Sequence, residues 1–190
     1  MVAVSGLHDR VVRRVSVVLL LVLFIASAGA QPLGASIDEV KAAYIHKFAG
    51  YIDWPPRTFA DPTSPIVVGV VGANAVFDEL TRIAVGRPVQ GRPVQVRRLS
   101  STGEAAAVHV LFIGQDVWRD APAWLAAIKG RPVALITDAP HGAEFGAVLT
   151  FVQSNNRLRF EASLPAAEQA GVRLSSRLLA VAERVVGASP

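Results

Sequence analysis

A three-layer α/β sandwich, built on a mostly parallel sheet with a C-terminal antiparallel hairpin at its edge, is the fold class this sequence predicts. Three observations carry the expectation. Ile66 to Val71 (IVVGVV), Val108 to Ile113 (VHVLFI) and Pro132 to Thr137 (PVALIT) are apolar at nearly every position, as strands buried on both faces beneath helices must be. The stretches between these runs place apolar residues at helical spacing. Finally, Ala147 to Gln153 and Arg157 to Ala162 flank Ser154-Asn155-Asn156, a polar turn that folds two strands into a hairpin.

In chain order, Val15 to Ala26 is a nearly unbroken apolar run, preceded by Arg10, Arg13 and Arg14 and followed by Ala28-Gly29-Ala30. A basic start, a short apolar centre and an Ala-x-Ala exit describe a secretory signal peptide over residues 1–30, with cleavage between Ala30 and Gln31. An uncleaved anchor is the alternative, and needs the apolar run to extend to about Gly34 to approach the roughly 18 residues of a span. Residues 31–190 then form one domain.

Ser36-Ile37-Asp38-Glu39 reads as a capping box that starts a helix at Ile37. The helix ends near Asp53, because Pro55 disfavours helical geometry at Trp54. Its core face holds Val40, Ala43, Tyr44, Phe48 and Tyr51. Ala42, Ile45, Ala49 and Ile52 fill much of the other side, so the helix is covered on more than one flank.

After a Pro-rich connection, strand Ile66 to Val71 leads through Gly72-Ala73-Asn74 into a helix carrying Val76, Phe77, Leu80, Ile83 and Ala84. Gly86-Arg87-Pro88-Val89-Gln90 is repeated at once as Gly91-Arg92-Pro93-Val94-Gln95, and Gly130-Arg131-Pro132-Val133 echoes it. Each copy reads as a helix stop followed by entry into an extended segment. Val94 to Leu99 is the second strand, marked as an edge by Arg97 and Arg98. Ser100 to Ala107 predicts a short helix and Asp116 to Lys129 a longer one with Trp118, Trp124, Leu125 and Ile128. Along Arg157 to Ala162, Arg157, Arg159 and Glu161 share one face and Leu158, Phe160 and Ala162 the other. Leu164 to Val186 predicts closing helical structure, broken at Gly171, with Leu174, Leu178, Leu179, Val181, Ala182 and Val185 as its apolar face.

Composition narrows the function. The chain has 19 basic and 15 acidic residues; without residues 1–30 the count is 16 against 14, a net charge of +2. Arginines scattered among acids do not form the dense basic face of a nucleic-acid binder. The absence of cysteine excludes thiol chemistry, cysteine-zinc sites and iron–sulfur clusters. The four histidines, His8, His46, His109 and His141, have no metal-ligand spacing, and no G-x-S-x-G turn is present. No cofactor, metal site or catalytic residue is predicted.

One loop gathers chemistry. Asp138 to Gly146 (DAPHGAEFG) follows the fourth strand at the carboxyl edge of the sheet, where doubly wound folds hold ligands. It brings Asp138, His141 and Glu144 together among glycines, with Arg157 and Arg159 expected nearby as a ligand or partner site. Trp54 is a core plug or a partner anchor. Gly69 to Asn74, neither a P-loop nor a dinucleotide fingerprint, reads as a tight turn, the alternative being an anion held by its backbone N–H groups at the helix start.

The ordered segments KAAYIHKFAGYIDWP, IVVGVVG, GRPVQVRRL, VHVLFI, FGAVLTFV, LRFEASL and GVRLSSRLLAVAERV together resemble the YfiR family of exported domains. The resemblance implies a periplasmic regulator that binds the sensing domain of an inner-membrane diguanylate cyclase and holds it inactive, restraining cyclic-di-GMP synthesis and biofilm formation. Two departures stand out. Where members carry a cysteine before the third strand this chain has Ala106-Ala107, and the family's asparagine in the glycine-containing strand is Thr150, so disulfide-based control does not transfer. A small-molecule ligand and a second copy in a homodimer stay open as further partners. Alternatives from other classes are a periplasmic ligand-binding domain serving a sensor kinase or transporter, and a hydrolase.

Overall fold

The computed structural model describes residues 35–188. The expected signal peptide and its cleavage point lie outside the described residues. Helix α1 (Ile37–Ala49) begins where Ser36 Oγ accepts the Glu39 N–H at 3.1 Å. The other elements are β1 (Ile52–Asp53), β2 (Ile66–Val71), α2 (Asn74–Ala84), β3 (Val94–Arg98), β4 (Val110–Ile113), α3 (Ala121–Ile128), β5 (Ala134–Thr137), β6 (Leu149–Ser154), β7 (Arg157–Ser163), α4 (Leu164–Gln169), β8 (Arg173–Leu174), α5 (Ser176–Leu179) and β9 (Arg184–Val186).

Seven strands form the main sheet in the order β3-β2-β4-β5-β6-β7-β9. The first five are mutually parallel, β7 returns antiparallel to β6 as the expected hairpin, and β9 lies parallel to β7 beyond it. β3 closes the opposite side, the edge position that Arg97 and Arg98 foretold. Because side chains alternate across a strand, Val68, Val70, Val110, Phe112 and Ile136 meet α1, α2 and α4 on one face. Val67, Val71, Leu111, Ile113 and Leu135 meet α3 and the neighbouring 3₁₀ turns on the other. These two covered faces make the three layers.

Three expectations on element boundaries change. The first helix stops at Ala49, because the Gly50 N–H turns back to the carbonyls of Lys47 and Phe48. Ile52 and Asp53 then pair antiparallel with Leu174 and Arg173, which leaves Tyr51 39% exposed rather than on the core face. The segment from Asp116 starts as a 3₁₀ turn, Gln115–Asp120, with α-helix only from Ala121. The ring of Pro122 would collide with the carbonyl of Trp118 in a continuous helix. The closing segment is no single helix: Gly171 takes φ +66°, Ser175 caps a fresh short helix, and the Glu183 N–H donates to Phe160 O at 2.8 Å as the chain enters β9.

At the switch point between β2 and β4, where the crossover direction reverses, the crevice is filled. A Cβ on Gly72, which takes φ +66°, would come within 2.2 Å of Val117 Cγ2, and one on Gly114 within 3.0 Å of the Gly72 carbonyl oxygen. The Gly69 to Asn74 turn is therefore a packing device, as its sequence suggests.

The core's densest aromatic group joins the first helix to the hairpin. The Phe48 ring lies 4.7 Å from Phe160 and 5.8 Å from Phe151, with Tyr44 5.5 Å from Phe48. Phe48→Ala is expected to cost about 3–5 kcal/mol. Equilibrium urea unfolding checks this through a lowered midpoint with an unchanged slope.

Candidate functional site

Asp138 sits at the carboxyl end of β5. Its Oδ2 receives Lys41 Nζ at 2.6 Å and its Oδ1 receives the Gln115 N–H at 2.7 Å. Lys41 also stands 3.5 Å from Asp38, and the Lys41 and Asp138 side chains are only 13% and 11% exposed. One carboxylate thus ties α1 to the ends of β4 and β5. Beside it opens a groove of about 460 Å³ lined by Ile37, Lys41, Gln115, Asp138, Phe151 and Leu158, among others. It lies toward the hairpin and away from the filled switch point.

Pro140 still lines this groove, and beyond it the loop leaves. His141 takes φ 60° and its Nδ1 is 3.1 Å from Glu144 Oε1, with both side chains largely exposed. Gly142 allows the close approach: a Cβ there would meet Thr137 Cγ2 at 2.3 Å and Thr150 Oγ1 at 2.8 Å. The loop consequently crosses the sheet face that carries Thr150, opposite the face against α1. Arg159 and Glu161 lie on that same side of the hairpin. There Arg159 Nε donates to Glu183 at 3.0 Å and Ser154 Oγ donates to the same carboxylate at 2.8 Å. These hydrogen bonds, Ser154 first, hold the Glu183 pKa below its ordinary value. Arg184 makes a two-pronged contact with Glu161 at 2.9 and 2.8 Å. Arg157 is exposed at the hairpin turn.

The six residues singled out from sequence therefore separate. Asp138 belongs to the groove on the α1 face. His141, Glu144, Arg157 and Arg159 belong to the opposite face, where Arg159 is already paired. Trp54 lies at the amino edge of the sheet. Its ring stands 5.9 Å from Phe59 and 6.3 Å from His109, while Phe59 stacks on His109 at 4.6 Å and has the Arg92 guanidinium 4.0 Å from its ring centre. Lys41 and Gln115 escaped the sequence reading because their roles come from tertiary approach. His109 was visible as the single polar residue in VHVLFI.

That histidine has a defined charge state. Its Nδ1 accepts the Val67 N–H at 2.9 Å, a bond that the protonated ring cannot make. Burial pushes its pKa below the ordinary 6.5; a hydrogen bond to the Thr58 backbone opposes this, and the Arg92 charge adds to it. A histidine with a depressed folded-state pKa contributes stability that is complete above about 6.5 and is lost as pH falls through that value toward the folded one. Melting temperature is expected to fall between about pH 7.5 and pH 5, and His109→Asn is expected to flatten that part of the profile.

The Lys41–Asp138 pair generates a second expectation. Asp138→Ala leaves a largely buried ammonium with only the longer contact to Asp38 and is expected to cost about 2–3 kcal/mol. Adding Lys41→Met should return part of that loss, so a double-mutant cycle by thermal melting should give a positive coupling.

Among the described residues no group of His, Asp or Glu could hold a metal ion, and no helix is long and apolar enough to cross a membrane. A family model described as YfiR/HmsC-like matches residues 38–183. No curated protein sequence matches the chain. Among solved structures, a conserved domain protein from Vibrio cholerae O1 biovar El Tor is similar at 14% identity and TM-score 0.50, over 79% of this chain and 60% of that one. The ABC domain in complex with L-Trp from Streptococcus pneumoniae is similar at 11% identity and TM-score 0.45, over 63% and 55% of the two chains. The chain thus spans little more than half the length of these solved chains, and the likeness to the Vibrio protein concerns the fold alone.

Proposed function

The chain belongs to the YfiR/HmsC-like family, and from that premise we propose that it is a periplasmic regulatory protein that represses a membrane diguanylate cyclase. It is exported by the segment over residues 1–30. It binds the cyclase's periplasmic sensing domain and restrains cyclic-di-GMP synthesis and biofilm formation. The observation that carries the reading is the family match over nearly the whole described domain, residues 38–183. The exposed loop and hairpin turn support it. The loop exposes His141 and Glu144 with Phe145, which is 60% exposed, and the hairpin turn exposes Arg157, the kinds of polar and aromatic groups that suit a protein interface.

Repression by such a domain needs differential binding, not chemistry. A ligand moves a two-state partner from mostly on to mostly off only by binding the off state more tightly, by roughly 10⁴-fold for a complete reversal. Asp138 contributes indirectly by fixing the root of the loop, and Arg159 by holding the hairpin to Glu183. Trp54 is an internal support of the amino edge in this reading.

A second reading rests on the groove beside Asp138. A cleft of about 460 Å³ with a lysine–aspartate pair at its wall suits a small polar molecule, which would make the domain a ligand-binding module for a sensor kinase or transporter.

Deleting the gene in a strain that expresses the cognate cyclase is expected to raise cellular cyclic-di-GMP, measured by mass spectrometry; an unchanged level would remove the regulator reading. Complementation with a Glu144→Arg, Arg157→Glu variant is expected to restore less repression than the wild type, although its melting temperature stays near the parent's. Full repression by that well-folded variant would move the interface elsewhere.

A further inference from the structure

The doubled GRPVQ sequence builds something that the regulatory reading does not use. In the first copy, the Gln90 side chain donates to the carbonyls of Gly50 and Ile52 at 3.3 and 3.1 Å, and His46 Nε2 lies 3.1 Å from the Arg87 carbonyl oxygen. In the second copy, Arg92 donates to the carbonyls of Asp61 and Ser64 at 2.8 and 2.9 Å. Val89 and Arg92 exchange two backbone bonds of 2.9 Å. Both copies are thus pinned. Between them and the end of α2 lies a groove of about 520 Å³ walled by Ala84, Val85, Pro88, Pro93, Val94 and Val96. Val85, at 77%, is the most exposed of the large hydrophobic residues at the surface.

One wall of this groove is β3, one of the two edge strands of the main sheet. Toward β2, the Pro93 carbonyl accepts from Ile66 and the Leu99 N–H donates to Val70. In a parallel ladder alternate residues bond to one neighbour, so the N–H and C=O groups of Val94, Val96 and Arg98 point outward. The Val94 and Val96 side chains lean toward the core on the α2 side, while Gln95 and Arg97 are exposed on the other. Among the described residues, neither Arg87 nor Arg97 has a carboxylate at ion-pair distance. Arg98 does not share this freedom, since it folds over Phe77 at 4.4 Å and meets Asp78 at 3.2 Å.

We infer that the β3 edge is a docking site for an extended acidic segment of a partner protein, which adds to the sheet as an eighth main-sheet strand. Its backbone pairs with Val94, Val96 and Arg98. Its apolar residues enter the groove on the α2 side, and its alternate acidic residues face Arg97 on the other, with Arg87 at the groove's end. The charge selects the occupant. Two copies of this chain meeting through β3 would bring cationic edges together, whereas an acidic strand neutralises them. The inference is independent of the cyclase reading, because it is tested with a peptide.

The experiment uses the mature chain and a short fluorescein-labelled peptide alternating valine and glutamate, followed by fluorescence anisotropy. Saturable binding is expected, at least about tenfold tighter than for the valine–lysine counterpart. Val96→Pro removes an outward N–H without breaking a bond to β2, trims a partly buried side chain, and is expected to abolish binding while the protein still melts cooperatively. Should that variant fail to fold, Arg97→Glu decides, since it is expected to reverse the preference between the two peptides. Equal binding of both peptides, no binding of either, or undiminished binding by a folded Val96→Pro variant would overturn the inference. So would a dimer in light scattering that Val96→Pro dissociates and the glutamate peptide does not.

Discussion

Everything in this domain depends on α1 lying across a sheet surface that is completed much later in the chain. Tyr44 and Phe48 close over Phe151 and Phe160, so the aromatic part of the first described helix has no apolar bed until the hairpin has formed, although Ala42, Ile45 and Ala49 share their cluster with Val76, Leu80 and Ile83 of α2. This is a contact of high sequence separation, and it makes the domain fold as a unit. Further along the same helix face, Lys41 meets Asp138. Lys41, Tyr44, Ile45 and Phe48 follow helical spacing, so the aromatic packing that anchors α1 also sets the ion pair at the groove. The aromatic anchor and the ion pair of the helix are one stripe read at two heights.

Much of the architecture was legible in the residues, and the reasons are local. β2, β4 and β5 are short apolar runs between turn signals, and nothing but a buried strand accounts for them. The arginines of β3 marked an edge because charge is tolerated there. The losses came where local signals compete with tertiary pairing. Ile52 fits the helical period of α1, yet it is held by Leu174 across β1 and β8, a partner more than a hundred residues away. Leu174, Leu178, Leu179 and Val185 make a plausible helical face on paper. The chain instead uses Gly171 and Ser175 to divide that stretch into a strand, a helix turn and another strand.

The candidate site was legible as chemistry and not as geometry. Asp138, His141 and Glu144 are close in sequence and were grouped for that reason, but Gly142 packs so closely on Thr137 and Thr150 that the loop is carried to the other side of the sheet from the Asp138 groove. Arg159 could not be recognised as occupied without its distant partner Glu183. Trp54 was placed beside a proline signal and proved to share its surroundings with His109, brought from 55 positions further on. What remains free on the loop and hairpin is a small exposed surface of mixed character. A sizeable cleft at that edge has the Lys41–Asp138 pair as its wall.

Together these features are consistent with the proposal that the domain works by binding. The central claim is that it silences a diguanylate cyclase by occupying its sensing domain, one regulator to each. The most direct measurement adds the purified mature protein to membranes containing the cognate cyclase and follows conversion of GTP to cyclic-di-GMP. Inhibition that grows with added protein and saturates near equal stoichiometry with the cyclase is the predicted result. Undiminished synthesis at saturating protein, or inhibition complete at a small fraction of the cyclase concentration, would contradict the account.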